Sequence, residues 1–596
     1  MPQGRTERET GREADPVMDP VVSWMKRPDP FVDVPIPPDA HRVKILGIYY
    51  LHFQQPDGGD LYVTKFGRHY LQHLKLENWH EKEWFRANRE KLKGTSTVYK
   101  VPSKVVNGRS INLVVKWCRV GEEVPLDTMG FNRFSDAEFN SPFEEFSLVM
   151  EMRERPSGKR IRTNRPLAIY VPPEQLELWQ TGRSKSRMTQ KLNKYRDVEL
   201  DILRQYILIY EWVEGRSADE ALVDVIPDEA AREKRLAHLT HQSLKDMKQN
   251  GFFVVDHKPA HVILRPRNNG EILRRRAGEY PYALVDFELL LRTPEYERQV
   301  ELARRSSYLE HQRERFDRER DVPIPEHLRA AQLFGVDYIW GRAESTHGMV
   351  WVVGRQPDLF DYFLPERWRH TPRTLLSETG QTYYTVSKDH INLVWKVSRV
   401  GETPDIDLSS AAASEILRHG YNSPFEEFGI AMALAQSGFS VVYPRAIYVT
   451  GLTSGRAGDY VKDLSRFESH ARLKAPDGSP VLSQDHTYIT VWGQWKGAIA
   501  EESERHRPPC AGVDLVRAVR EGLICEEDKQ MLLARMTERL ESAGFGAFLK
   551  PSHYLLSQEA DGRLRRDSRE ELVLTICNFE LIRKRAGEGS ALDHAK

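Results

Sequence analysis

The chain is poor in several things that define large protein classes. It has four cysteines, Cys118, Cys510, Cys525 and Cys577, far apart and never in C-x-x-C spacing, which argues against a zinc cluster or a disulfide framework and for a reducing compartment. No apolar run reaches the eighteen or so residues that span a bilayer, and the first ten residues, M-P-Q-G-R-T-E-R-E-T, are polar. No signal peptide and no membrane span are expected, and the cytoplasm is the expected compartment. Charge of one sign is not in excess: Lys+Arg and Asp+Glu each total 87. No global field therefore draws in nucleic acid or an anionic membrane, and any phosphate must be held by a local site. What is present is ample core material, with 40% hydrophobic residues and 12 Trp, 23 Tyr and 23 Phe in 596 residues. That is too long for one core, the usual domain being about 150 residues.

The chain repeats itself. D-V-P-I-P at Asp33 returns at Asp321, and Leu46-Gly47 is answered by Phe334-Gly335. I-N-L-V-V-K-W-C-R-V-G-E (Ile111 to Glu122) is answered by I-N-L-V-W-K-V-S-R-V-G-E (Ile391 to Glu402), and N-S-P-F-E-E-F occurs at both Asn140 and Asn422. A-I-Y-V recurs at Ala168 and Ala446, K-P-x-H at Lys258 and Lys550, and F-E-L at Phe287 and Phe579. The matches keep their order, with offsets between 278 and 292, as a tandem duplication requires. The domain reading is a disordered tail over 1–32, unit one over 33–292, a charged helical linker over 293–320, unit two over 321–585 and a C-terminal tail over 586–596.

Within unit one, β-type runs rich in Val, Ile and Tyr end at Lys116. Ser141-Pro142 then places an N-cap and a first-turn proline, with Glu144 and Glu145 where carboxylates favour the helix dipole. Tyr206 to Gly215 reads as a buried strand running into a turn. Ala230 to Asn250 carries helical periodicity closed by Asn250-Gly251. The stretch N-G-F-F-V-V-D-H-K-P-A-H-V-I-L follows, then a turn-rich excursion, then Y-A-L-V-D-F-E-L-L. Two short apolar runs thus deliver Asp256 and Asp286 into polar loops, where paired carboxylates suit a divalent metal and phosphate, although Asp at strand ends also commonly serves only a turn. A lysine inside an apolar strand needs a nearby anion, so Lys116 and Lys396 each call for a carboxylate partner, Glu145 and Glu427 being the natural ones.

This order of elements resembles the protein-kinase-like superfamily, over roughly 94–291 and more weakly over 380–583. Asp256, Lys258 and Pro259 match its H-R-D-x-K-P-x-N loop, and Asp286-Phe287 its D-F-G. The resemblance implies an α/β (α+β) fold of two tandem kinase-like units, each with an antiparallel-sheet N-lobe and a small, truncated helical C-lobe. It implies catalytic roles for Asp256, Lys258, Lys116 and Glu145, with Glu144 the rival of Glu145. It further implies ATP bound through Gly94, Lys116 and backbone groups around Glu211 to Val213, with Tyr210 as gatekeeper, and Mg²⁺ held by Asp286 and His261, although imidazole suits softer ions than Mg²⁺ and a purely structural His261 is the alternative.

The departures are as informative. Val254-Val255 replace His-Arg, His261 stands where Asn is expected, and Glu288 replaces the Gly. The loops at Gly94 and Gly380 have one glycine each, where a phosphate cradle is usually glycine-rich. Few residues follow Asp286 before the second unit, which leaves no room for a peptide-binding segment. In unit two Phe548 and Asn578 stand in place of Asp256 and Asp286, the mark of a pseudokinase. The leading expectation is phosphotransfer from ATP by unit one to a small-molecule or protein acceptor, with unit two as regulator or protein-docking surface. A non-catalytic scaffold and a nucleotide sensor without transfer are the alternatives.

Overall fold

A computed structural model describes residues 29–585 except 94–95, 123–137, 155–159, 178–179, 181–182, 184–199, 202, 268–270, 275–278, 318–321, 344–345, 370, 378–380, 405–412, 452–460, 494–511, 559–562 and 568. The fold is mixed α+β with almost wholly antiparallel sheets, and it divides into two compact units that change over between Arg304 and Arg305.

Unit one is built on an eight-stranded sheet: β1 (Ala40–Ile45), β2 (Ile48–Gln54), β3 (Asp60–Val63), β4 (Glu90–Lys91), β5 (Val98–Pro102), β6 (Asn112–Trp117), β7 (Pro166–Val171) and β8 (Ile207–Glu211). In space the order is β1-β2-β3-β7-β8-β6-β5-β4. The Leu46-Gly47 turn between β1 and β2 has both residues at positive φ, 52° and 75°. That is the two-residue hairpin turn whose twist matches its strands, and glycine fits its second position without strain. The central strand β7 is buried at every residue, so its apolar run P-L-A-I-Y-V does not alternate. Both faces of the sheet are covered.

One face packs on Leu74, Trp79 and Phe85 from the short helical segments that follow β3, together with Leu113 and Val115 of β6. The other receives helix α1 (Pro142–Glu154), where Phe143 meets Tyr50 and Tyr62 edge-on and Phe146 packs on Tyr210. Because a strand alternates faces, Lys116, one residue from Val115, points to the α1 side. Phe31, at the end of the stretch read as a disordered tail, is fully buried in the first core and Asp29 pairs with Arg42 at 2.9 Å. Asp29 and Phe31 therefore pack with unit one.

The rest of unit one is a second core. Short strand β9 (Arg216–Ser217) leads to helix α2 (Glu229–Gln249), capped by Asp228 and ended by Gly251 at φ 83°. Strands β10 (Phe252–Val254), β11 (Val262–Leu264), β12 (Tyr282–Leu284) and β13 (Leu290–Arg292) follow, β10 pairing with β13 and β11 with both β12 and β9. Helix α3 (Pro294–Arg313) occupies most of the stretch read as a linker, and its Tyr296 and Val300 belong to the second core of unit one. Arg183 is buried and donates to the Arg204 carbonyl at 2.7 Å.

Unit two carries an eight-stranded sheet with the corresponding order: β14 (Leu328–Leu333), β15 (Val336–Ala343), β16 (Gly348–Val353), β17 (Arg373–Leu375), β18 (Thr382–Val386), β19 (Asn392–Val397), β21 (Pro444–Val449) and β22 (Tyr488–Gly493), arranged β14-β15-β16-β21-β22-β19-β18-β17. The label β20 belongs to Ser440–Val441, which makes a short parallel pair with residues 574–576. Phe334-Gly335 repeats the positive-φ hairpin turn at 49° and 76°. Trp79 and Trp368 are a further echo: each is fully buried and donates its indole N–H at 3.0 Å to the carbonyl five residues earlier. Helix α4 (Pro424–Gln436) takes the place of α1, with Ser423 and Glu426 forming a capping box.

The junction of β3 with β7 generates a stability prediction. Thr64 donates to the Pro166 carbonyl at 2.6 Å, its amide donates to the Leu167 carbonyl at 2.9 Å, and a Cβ on Gly67 would fall 2.1 Å from that same Leu167 oxygen. Gly67→Ala is expected to destabilise unit one by about 1–3 kcal/mol, the usual cost of overpacking. Urea unfolding of the full chain measures it, and an unchanged midpoint would mean that the backbone there yields freely.

Candidate functional site

The site begins with Lys116, whose side chain is 5% exposed. Its Nζ lies 2.7 Å from Asp286 Oδ1, 3.3 Å from Glu288 Oε2 and 3.5 Å from Glu145 Oε1. Burial works against the ammonium charge, but the Asp286, Glu145 and Glu288 carboxylates outweigh it and hold Lys116 above the usual lysine range. Of the two candidate helix acids, Glu145 is the partner. Glu144 instead caps α1, accepting from the Ser141 amide at 2.8 Å while Ser141 Oγ accepts from the Glu144 amide. Glu145 also accepts from the buried Tyr210 hydroxyl at 2.7 Å. Tyr210, expected as gatekeeper, thus acts as a clamp on Glu145.

Asp286 meets Lys116 through its side-chain Oδ1, from a strained backbone. Its φ is 68°, a left-handed conformation that costs most L-residues about 1–2 kcal/mol and that Asp tolerates better than most. Despite burial, Lys116 and then His261 hold its carboxyl well below the usual range. The turn it starts is held by Asn140, whose side-chain amide donates to the carbonyls of Phe287 and Leu290 and whose backbone N–H donates to Glu288. Asn422 makes the same pair of bonds to Phe579 and Ile582. The repeated N-S-P-F-E-E-F is therefore one device, an Asn that pins the F-E turn and a helix that carries the Lys-binding Glu.

Two antiparallel ladders bring the loop of Asp256 to the turn of Asp286. Val254 pairs with Leu290 on one side, and Val262 with Leu284 on the other, extended by the Val285 amide donating to the His261 carbonyl at 3.0 Å. His261 ends the short 3₁₀ turn Pro259–His261 and is buried, its Nε2 3.5 Å from Asp286 Oδ2. One donor atom from each of Asp256, His261 and Asp286 lies within 4.8 Å of the others. Asp256 Oδ1 and His261 Nδ1 are buried without a hydrogen-bond partner. Burial lowers the His261 pKa to about 4, so the imidazole is neutral at pH 7 and its lone pair is available. Burial, then Asp286 and Glu288, push Asp256 up to about 6.

The charges do not balance. Glu145, Asp256, Asp286 and Glu288 face Lys116 and Arg119, with Lys258 half-exposed at the rim, 3.9 Å from Asp256. Such an excess of buried carboxylate fits a divalent cation, and the unpartnered oxygen of Asp256 gives it a waiting ligand. The two carboxylates suit Mg²⁺; the imidazole is the departure from an oxygen-only set.

Not every sequence expectation converges here. Gly94 lies outside the described residues. The Glu211 amide is committed to the Arg165 carbonyl and that of Trp212 to the Asn112 carbonyl, at 2.9 and 3.1 Å, so Glu211 has no free N–H for a purine edge. Val213 alone of the three keeps an uncommitted amide among the described residues. Glu288, noted in the sequence only as a departure, is a full member of the cluster and also accepts from Ser96 Oγ at 3.0 Å. Its signal was its recurrence as Glu580.

In unit two Lys396 Nζ lies 2.7 Å from Glu580 and 3.4 Å from Glu427. Phe548 packs beside an apolar cluster, and Asn578 donates to Glu580 at 3.1 Å. Lys396, with Arg399 nearby, thus faces two carboxylates and leaves none in excess. The described residues of unit two hold no metal-ligating cluster.

No family model and no curated protein matches the chain. No described helix is long and apolar enough to cross a membrane.

Asp256 sets a pH prediction. Its folded pKa of about 6 exceeds the ordinary 3.8, so between these values the native state holds a proton that the unfolded state has lost, and stability falls as pH rises through that window. Above it the cost is of order 2–3 kcal/mol. In metal-free buffer Asp256→Asn is expected to be more stable than the parent at pH 7.5 and nearly equal to it at pH 4, by chemical denaturation. A variant less stable at pH 7.5 would mean that the carboxylate is well solvated or paired.

Proposed function

We propose that unit one transfers a phosphoryl group from ATP with the help of a divalent cation, and that unit two is its non-catalytic, pseudokinase-like companion. The reading is carried by one observation: Lys116, Glu145, Asp256 and Asp286, drawn from separate elements, meet in a single cluster whose surplus is negative. It is supported by the chain order of those elements, which is that of the kinase-like resemblance, and by the two equivalent sheets with a lysine on β6 and on β19.

In this reading Lys116 exchanges part of its pairing with Asp286 for the α- and β-phosphates, while Glu145, itself held by Tyr210, keeps the ammonium oriented. Asp286 and His261 hold the cation, which neutralises phosphate charge when bound. Asp256 accepts the proton of the acceptor hydroxyl. A carboxylate raised to about 6 is a better base near neutrality than an ordinary one and is still ionised at pH 7. Lys258, beside it at the rim, adds positive charge on the open side. Val213 offers the remaining backbone amide for the purine. The acceptor is a small molecule, because the chain passes from Asp286 into β13 and α3 within a few residues and leaves no segment to seat a peptide. Unit two has no cation to place and keeps Lys396, Glu427 and Glu580 as structure.

Calorimetry of ATP against the full chain, with and without divalent cation, tests this. Binding is expected to require the cation, to weaken at least tenfold in Asp286→Ala, and to be unchanged in Asn578→Ala. Loss on Asn578→Ala alone would move the site to unit two. A chain that binds no nucleotide at all would sink the phosphotransfer reading and leave the scaffold.

A further inference from the structure

Rested on the placement of a cation at Asp286 and His261, we infer that this site selects a first-row transition divalent ion of the Mn²⁺ class over Mg²⁺, and that His261 is the residue that makes the choice. Mg²⁺ is small, dehydrates reluctantly and takes oxygen almost exclusively, whereas imidazole nitrogen is a good ligand for transition ions. Mn²⁺ keeps the octahedral preference and the carboxylate affinity of Mg²⁺ but accepts nitrogen. The His261 imidazole beside the Asp286 carboxylate therefore discriminates in favour of the transition ion.

The imidazole is built into the site. It is 5% exposed, and its Nε2 lies 3.5 Å from Asp286 Oδ2, on the side where the metal donors gather. Its carbonyl accepts from the Val285 amide, the residue just before Asp286, so the ring and the carboxylate are fixed to the same ladder. Its Nδ1 has no hydrogen-bond partner among the described residues, so that ring nitrogen is not spent on the protein. Asp256 provides an independent pointer: its side chain is 8% exposed and its Oδ1 is without a partner, an oxygen left for a ligand. Unit two serves as an internal comparison. His553 is retained there, but its Nδ1 accepts from the Lys550 amide at 3.2 Å, and Phe548 and Asn578 bring no carboxylate beside it. There the backbone takes one ring nitrogen, whereas among the described residues of unit one no backbone group does.

The test is direct ion binding, without nucleotide or turnover. Mn²⁺ binding to the full chain is followed by the electron paramagnetic resonance signal of the free ion, and Mg²⁺ is titrated in as competitor. The parent is expected to bind Mn²⁺ and to release half of it only at a Mg²⁺ concentration at least tenfold higher. His261→Asn, which restores an oxygen ligand, is expected to bring that ratio to within about threefold of unity while still binding both ions, and far-ultraviolet circular dichroism checks that it is folded. If His261→Asn does not fold, His261→Gln takes its place. Asp286→Asn should lose both ions, and Asn578→Ala neither. Equal competition by Mg²⁺ in the parent, or a ratio that survives the His261 substitution, overturns the selectivity and leaves the phosphotransfer reading standing. A parent that binds neither ion overturns both. Transition-ion binding without any ATP binding supports the metal assignment and overturns only the nucleotide reading.

Discussion

The constraint on which each unit turns is a lysine ammonium placed inside the protein by a strand. On β6, Leu113 and Val115 go into one core, and the alternation of a strand leaves Lys116 under α1 on the other face. An isolated ammonium there would cost several kcal/mol, and three carboxylates gather on it. One acid comes from α1, two from the turn after β12, and an asparagine before α1 ties that turn to the helix start. In unit two the same strand position, the same helix acid and the same asparagine recur around Lys396. The lysine thus acts as the keystone that joins the sheet, the helix and the return turn in both units.

Once that shared frame is set aside, what separates the units is charge. Unit two has no carboxylate in excess, and burial pushes Glu427 up to about 7, so that acid is only about half ionised at pH 7. Unit one adds Asp256 and Asp286 to the same frame, keeps Asp286 at a positive φ, and leaves a buried oxygen of Asp256 unpartnered. The raised Asp256 and the strained backbone of Asp286 each lower stability, and the surplus of carboxylate leaves the site short of one cation. Local strain and uncompensated charge gathered in one place are what a binding or catalytic site looks like energetically. Asp at turn ends is common, but the combination with His261 and a raised Asp256 is not what a turn alone requires.

Much of this was legible in the residues. The duplication was visible because paired motifs keep their order, and the structure supplies reasons for several of them: Leu46-Gly47 and Phe334-Gly335 are tight hairpin turns, and N-S-P-F-E-E-F is a pin and a capped helix. Lys116 was identifiable as needing an anion because charge inside an apolar strand has no other resolution. Glu145 could not be told from Glu144 by spacing, since adjacent helix residues point about 100° apart and only the sheet decides which faces inward. Glu288, Asn140 and the clamping role of Tyr210 depended on partners between about 65 and 190 residues away in the chain, which no local pattern reports.

Composition, the repeat, the strand lysines and the identity of the acids were determined by the sequence alone, because propensity, burial cost and charge act residue by residue. The tertiary structure decided which acids meet which cation. That choice follows from the insertion of β7 between β3 and β8, from the two short ladders that bring residues 256–261 against 285–289, and from the αL backbone at Asp286. The physical reason is that a Coulomb or ligand contact falls off over a few ångströms, and only long-range strand pairing sets distances that small between residues far apart in the chain.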